Sequence, residues 1–248
     1  MSELLQLSNV TKSFGAVEAL VDVSFSVDSG EVVALLGDNG AGKSTLIKIL
    51  SGVHKHDNGK IRWQGNDIVI KSPAHARNIG FSVVYQDLAV VPLISIYRNF
   101  FLGKEELICK KILGVSFIRN NYAKNIARNA LKQLGIEIEN VESNVGVLSG
   151  GERQSISIAR AVYFQSKLLI LDEPTAALSL KETAKVLSYV QEAKKSNVGV
   201  IMITHNISHA WDSADRFVVL YRGEVASILK KEETSVKEIE NLINTGKK

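Results

Sequence analysis

A single cysteine, Cys109, stands among the 248 residues. One thiol closes no internal disulfide, so a disulfide-stapled scaffold is excluded within the chain and a reducing compartment is expected. No stretch approaches the roughly 18 consecutive apolar residues that a membrane-spanning helix needs. The opening stretch, MSELLQLSNVTKSF, meets a polar residue every few positions and lacks the apolar segment of an export signal. Neither sign of charge dominates. Thirty basic residues face 26 acidic ones, a net charge of +4, which reads as a solvated surface rather than a nucleic-acid footprint. There is no internal repeat and no low-complexity linker. What is present is ordinary globular composition, 45% hydrophobic and 23% charged, at a length that supports a sizeable core.

The hydrophobic pattern gives the fold class. LLQLSNV, LVDVSFSV and EVVALLG read as strands, GKIRWQGNDI as a hairpin turned near Gly65 and Asn66, and GFSVVYQ as another strand. KLLILDE and VGVIMITHN are short, continuously apolar runs of the kind that parallel strands need when both faces are buried. Helices fit Lys43–Ser51 and the stretches near 120–135, 150–165 and 181–196, with a strand pair and a helix near 235–245 at the end. Strands alternating with helices imply an α/β fold with a mostly parallel core sheet and an antiparallel β part. From 88 to 165 the pattern is helical, with few strand signals. The chain is therefore read as one unit, 1–248, whose core is 1–87 and 166–248 and into which a helical subdomain, 88–165, is inserted. Residues 104–132 carry seven basic and two acidic side chains, more than the whole chain's excess. That segment reads as a solvated helical face, or as a surface close to anionic lipid headgroups.

GDNGAGKST, residues 37–45, matches the G-x-x-x-x-G-K-[ST] pattern of a phosphate-binding loop, and it lies where that loop belongs, between the apolar strand EVVALL and the helix KSTLIKIL. Gly37, Gly40 and Gly42 let the backbone bend into a nest of N–H groups, with Asp38, Asn39, Ala41 and Thr45 completing the loop. The helix N-terminus adds unpaired N–H groups and a favourable dipole. Lys43 is expected on the β- and γ-phosphates of ATP and the Ser44 hydroxyl on Mg²⁺.

KLLILDEPT, residues 167–175, is an apolar strand that ends in two acids. Asp172 is expected to hold Mg²⁺, and Glu173, one residue on, to act as general base on the water that attacks the γ-phosphate. His205 follows another apolar strand; it is either a capping residue or, beside a phosphate-binding loop, a γ-phosphate contact. Gln86 ends the strand GFSVVYQ, where its amide oxygen would reach Mg²⁺ and report the γ-phosphate to the helical segment.

More than a hundred residues after the phosphate-binding loop stands a second Gly-rich stretch, LSGGERQ at 148–154. With the other motifs, in this order, the chain resembles the ATPase subunits of ABC transporters over essentially its whole length. The resemblance implies that two cassettes pack head to tail and that Ser149, Gly150 and Gly151 of one cap the ATP held by the other. A hydroxyl, two unhindered N–H groups and a helix starting near Glu152 suit that role; the plainer reading of the stretch is a helix N-cap. It also implies that Phe14 stacks on adenine. In PTAALSLKE, Ser179 stands where many cassettes have Asp, which puts communication between the two sites in question.

Three stretches, YQDLAVVPLISIYRNFFLG, PTAALSLKET and ITHNISHAWDSADRFVVLYRGE, resemble importers of simple sugars such as ribose, xylose and fructose. The resemblance implies a homodimer at the cytoplasmic face of the membrane, docked on two permease subunits, with a solute-binding protein outside and no nucleic acid partner. A permease helix would enter a groove beside Gln86. The alternatives are the ATPase of another importer or exporter, or an ABC ATPase serving ribosomes or DNA repair. Tandem cassettes with a charged linker and long coiled coils, the marks of those last two, are absent from this sequence. So is the N-K-x-D motif of a GTPase.

Overall fold

The computed structural model describes residues 3–86, 90–112, 115–133, 135–176 and 178–247. The chain opens with β1 (Glu3–Phe14), β2 (Val17–Asp28), β3 (Val32–Leu36) and helix α1 (Lys43–Leu50). A hairpin of β4 (Asn58–Trp63) and β5 (Asn66–Ile68), helix α2 (Pro73–Asn78) and β6 (Phe81–Val84) follow. Next come α3 (Ile96–Phe100), β7 (Cys109–Ile112), β8 (Val115–Ile118), α4 (Asn120–Gln133) and α5 (Gly150–Tyr163). The last part holds β9 (Leu168–Asp172), α6 (Leu180–Lys195), β10 (Gly199–Ile203), α7 (Ile207–Ser213), β11 (Arg216–Tyr221), β12 (Glu224–Lys230) and α8 (Val236–Thr245).

The apolar runs make a six-stranded sheet in the order β12-β11-β3-β10-β9-β6. All neighbours in it are parallel except the β11–β12 edge pair. Because strand side chains alternate, each run feeds two cores. Val32, Ala34, Leu36, Leu169, Leu171, Val200 and Met202 face the side covered by α3 to α8. Val33, Leu35, Leu168, Ile170, Ile201 and Ile203 face α1 and the four-stranded antiparallel sheet β2-β1-β4-β5. Both faces are dry, which is why these strands carry no polar alternation.

The stretch 88–165 departs from the reading as purely helical. It contains the antiparallel hairpin β7–β8, with Cys109 opposite Ile118 and Lys111 opposite Ser116. Each strand is only four residues long, and Val115–Ile118 is exposed throughout, so neither burial nor alternation marks it in the sequence. Helices α2 and α7, six and seven residues long, lie outside the helical stretches expected from the sequence; they are too short for a helical period to register. The expected boundary at 87/88 lies outside the described residues, and 165/166 falls between α5 and β9.

One ion pair ties the two sheets together. Arg216, on β11, meets Glu31, just before β3, through Nε to Oε1 at 2.8 Å and Nη2 to Oε2 at 2.9 Å, and also donates to the Ser26 carbonyl of β2 at 2.7 Å. Glu31 is buried, and apart from Arg216 its carboxylate accepts from the Asp28 N–H at 2.8 Å, so removing the arginine leaves an unpaired charge in a dry place. Arg216→Ala is expected to lower the unfolding free energy by about 3 kcal/mol, read from the midpoint of urea denaturation.

Candidate functional site

Four adjacent parallel strands, β3, β10, β9 and β6, end at the same edge of the sheet. The sequence motifs sit just past those ends: 37–45 after β3, Asp172–Glu173 at β9, His205 after β10 and Gln86 after β6. Ligands of open α/β sheets bind at this edge, outside the carboxyl ends of the strands.

The loop from Gly37 to Thr45 is shaped by tight contacts. Gly42, with φ +106°, precedes α1; a Cβ there would come within 2.6 Å of the Ala19 carbonyl and 2.7 Å of Leu20 Cδ2. At Gly37 a Cβ would run into the Leu220 carbonyl. Gly40 has open space around it and needs glycine for its φ of +81° alone. Asp38 Oδ1 accepts from the Asn39 N–H at 2.7 Å, and the Asp38 carbonyl accepts from the Ala41 N–H at 3.1 Å. The Lys43 ammonium lies back across the loop, donating to the carbonyls of Gly37 at 2.7 Å and Asp38 at 2.9 Å. Ala41 is buried, Thr45 half-buried, and Ser44 exposed on the first turn of α1.

Across the edge, Glu173 adopts a left-handed backbone, φ +50°, at a cost of order 1–2 kcal/mol for a residue with a Cβ. Its own N–H donates to the Ile203 carbonyl at 2.8 Å, tying it to the end of β10. Its carboxylate is fixed on both oxygens. Oε1 accepts from the His205 backbone N–H at 3.0 Å and lies 2.8 Å from His205 Nδ1. Oε2 accepts from the Thr204 hydroxyl at 3.2 Å. Glu173 and His205 are thus brought together. Thr204, missed in the sequence because it looks like one more β-branched strand residue, is part of the same knot. Thr175 Oγ1 lies 2.8 Å from His209 Nδ1, which anchors the loop after Glu173 to α7. Gln86 is exposed, two residues past the end of β6.

The charges confirm that these residues share one environment. Burial pushes the Asp172 carboxyl up, the neighbouring Glu173 pushes it further, and Lys43 partly offsets both. Burial pulls Lys43 down, while Glu173, Asp38 and Asp172 pull it back up. Three acids and one cation converge here, and the Asp172 carboxyl is under-compensated.

Phe14 closes β1, 44% exposed, with its ring edge-on to His54 at 5.2 Å. It sits on the β1–β2 hairpin whose Ala19 and Leu20 abut Gly42, so an exposed aromatic borders the loop. Ser149 is the N-cap of α5, which starts at Gly150 rather than near Glu152. Its hydroxyl accepts from the Glu152 N–H at 3.2 Å, and Glu152 Oε2 accepts from the Ser149 N–H at 2.8 Å. Gly150 lies against Leu178 and Gly151 against Glu182, so the LSGG stretch packs on the loop that follows Asp172–Glu173.

With this geometry in hand, comparison with known proteins is decisive. The family model described as ABC transporter matches residues 20–176. The chain belongs to the ABC transporter family. It is 47% identical over 99% of its length, and 95% of the relative's, to the xylose/arabinose import ATP-binding protein XylG of Sulfolobus acidocaldarius. It is 41% identical over 86% of its length, and 83% of the relative's, to the fructose import ATP-binding protein FrcA of Rhizobium meliloti. Against the ribose import ATP-binding protein RbsA of Halalkalibacterium halodurans it is 35% identical over 95% of its length, but spans only 46% of that relative. In structure it matches the ADP conformation of MJ1267, an ATP-binding cassette, with TM-score 0.81, 26% identity and coverage of 99% of this chain and 96% of that one. It also matches the dimeric cassette MJ0796, with TM-score 0.76, 25% identity and coverage of 92% and 99%. The α/β cassette fold is thereby shown, and ATP binding and hydrolysis come with the family.

Gly42→Ala puts a methyl group against the Ala19 carbonyl at a strained φ. It is expected to destabilise the fold by about 1–3 kcal/mol and to abolish binding of a fluorescent ATP analogue. Fluorescence anisotropy checks the second effect and thermal unfolding the first.

Proposed function

We propose that the chain powers import of a simple sugar by hydrolysing ATP as one half of a homodimer, docked through separate permease subunits on the cytoplasmic face of the membrane. The observation that carries the reading is the collection of Lys43, Asp172, Glu173 and His205 at one sheet edge while a second Gly-rich helix start, with Ser149 exposed at its N-cap, opens α5. The sugar-import names of the relatives support the transport half. Among the described residues no helix is long and apolar enough to cross a membrane, in keeping with a cassette that works through separate membrane subunits. The partition into a core, 1–87 and 166–248, and a helical insertion, 88–165, belongs to the same reading, as does a solute-binding protein outside.

Residue roles follow from chemistry. The N–H groups of the Gly37–Thr45 loop and the α1 N-terminus cradle the phosphates, Lys43 turns from the loop carbonyls to the β- and γ-phosphates, and Phe14 takes the adenine face. The oxygens of Ser44, Gln86 and Asp172 suit Mg²⁺, a hard cation, and the under-compensated Asp172 is the group it would relieve. When bound, Mg²⁺ supplies neutralisation of phosphate charge. Glu173 accepts three hydrogen bonds on a carboxylate with about four acceptor positions, which leaves room to take a proton from the attacking water. His205, 72% exposed in its side chain, is held by Glu173 with its outer edge free to meet the γ-phosphate. A groove of ≈ 380 Å³ between β6 and α5, bordered by Tyr85, Leu102, Arg160 and Phe164, reaches the residue before Gln86 and suits a permease helix.

Glu173→Gln is expected to cut kcat by about 10²–10⁴-fold while sparing ATP binding. In that background MgATP is expected to convert monomer to dimer by light scattering. Ser149→Arg, which drives bulk and charge into the γ-phosphate contact, should abolish the conversion. A dimer that survives Ser149→Arg would sink the trans role of the LSGG stretch. Cells lacking the chain should lose uptake of at least one of xylose, arabinose, fructose and ribose, and regain it with the wild type but not with Glu173→Gln; normal uptake of all four would overturn the sugar assignment.

A further inference from the structure

The helix starts of α5 and α6 lie side by side, and the Glu182 side chain of α6 lies against Gly151 of α5. Ser179 caps α6: its hydroxyl accepts from the Glu182 N–H at 3.3 Å and donates to Glu182 Oε2 at 2.8 Å, and its N–H donates to the same oxygen at 3.1 Å. Oε2 is thereby pinned by the cap of its own helix. The other oxygen points across to α5, where a Cβ on Gly151 would lie 2.8 Å from Glu182 Cβ and Cγ and 3.0 Å from Oε1. The Ser149 hydroxyl and the Gly151 N–H help hold this carboxyl ionised, down at about 2, after the larger effect of Ser179. A fixed negative charge therefore lies against Gly151, beside the donors that a neighbour's γ-phosphate would use. Serine at 179 makes this possible, since an aspartate there would set a second negative charge against Glu182.

We propose that Glu182 is a resident anion beside the Ser149–Gly151 stretch that opposes the γ-phosphate of the facing cassette, and so sets how tightly two copies close on ATP. The inference rests on the trans role given to the LSGG stretch above. It assigns Glu182 a positioning and gating part, with no contact to the reacting atoms. The two charges oppose one another at each of the two interfaces, so closure must set the phosphate close to Glu182 or push its carboxylate aside. The cost is paid at docking and returned when phosphate leaves, which favours reopening after hydrolysis.

The test uses the full chain with Glu173→Gln, MgATP and light scattering over a concentration series. Glu182→Gln keeps an acceptor oxygen for the α6 cap, since the capping box accepts Gln in place of Glu, and removes only the charge. It is expected to tighten the dimer by about tenfold or more, because like charges across an interface are costly. An equal or weaker dimer, in protein with an unchanged urea midpoint, overturns the proposal; a purely structural role for Glu182 predicts weakening, so the sign decides. If Glu182→Gln does not fold, Glu182→Asp, which draws the charge back by one methylene from Gly151, takes its place: a tighter dimer supports the proposal and an equal or weaker one overturns it. Ser149→Arg run in parallel separates the two readings. If it leaves the dimer intact, the trans role fails; if it abolishes the dimer while Glu182→Gln tightens nothing, only the resident-anion proposal fails.

Discussion

Burial of one sheet on both faces is the constraint from which the rest follows. Strands β3, β9 and β10 contribute alternate side chains to two separate cores, one under the helices and one under α1 and the antiparallel sheet. A strand of this kind stays apolar up to its carboxyl end, where Asp172 closes β9 opposite Ile203, so the first acid, hydroxyl or imidazole appears at the carboxyl edge. Parallel connections then bring all of those edges to one side. The site is the place where the sheet runs out of apolar surroundings.

At that edge the electrostatics are deliberately unbalanced. Asp172 is pushed up by burial and by Glu173, and Lys43 alone offsets them only in part. Meanwhile Glu173 is locked by three hydrogen bonds from Thr204 and His205 at the neighbouring strand end, in a backbone conformation that its own N–H bond to Ile203 maintains. A rigid carboxylate, a loosely compensated acid and a lysine already lying against the loop therefore meet at one edge of the sheet. The Ser149 and Ser179 caps lie side by side, each closed by its own carboxylate, Glu152 on α5 and Glu182 on α6, and Glu182 also lies against Gly151.

Much of this was legible in the sequence where a motif is local. Gly37–Ser44 announces itself because the turn, the lysine and the hydroxyl all lie within eight residues between a strand and a helix. Asp172–Glu173 is legible because two acids end an apolar run. The hairpin β7–β8 was not, because four-residue exposed strands carry no burial signal. Thr204 and Glu182 were not, because each acts on a partner 31 residues away in the chain. Ser179 was seen as a departure from the common aspartate, but its cap on α6 depends on where the loop lands.

The sequence by itself determined the fold class, the family and the identity of the phosphate-binding, metal-binding and general-base candidates, since those rest on periodicity and on short contiguous patterns. Only the tertiary structure decided which groups hold one another: Thr204 and His205 on Glu173, Arg216 on Glu31 across the two sheets, Glu182 against Gly151. Hydrogen bonds and charges act over a few ångströms of space and take no account of distance along the chain, so these pairings exist only once the sheet has brought the strand ends and helix starts together.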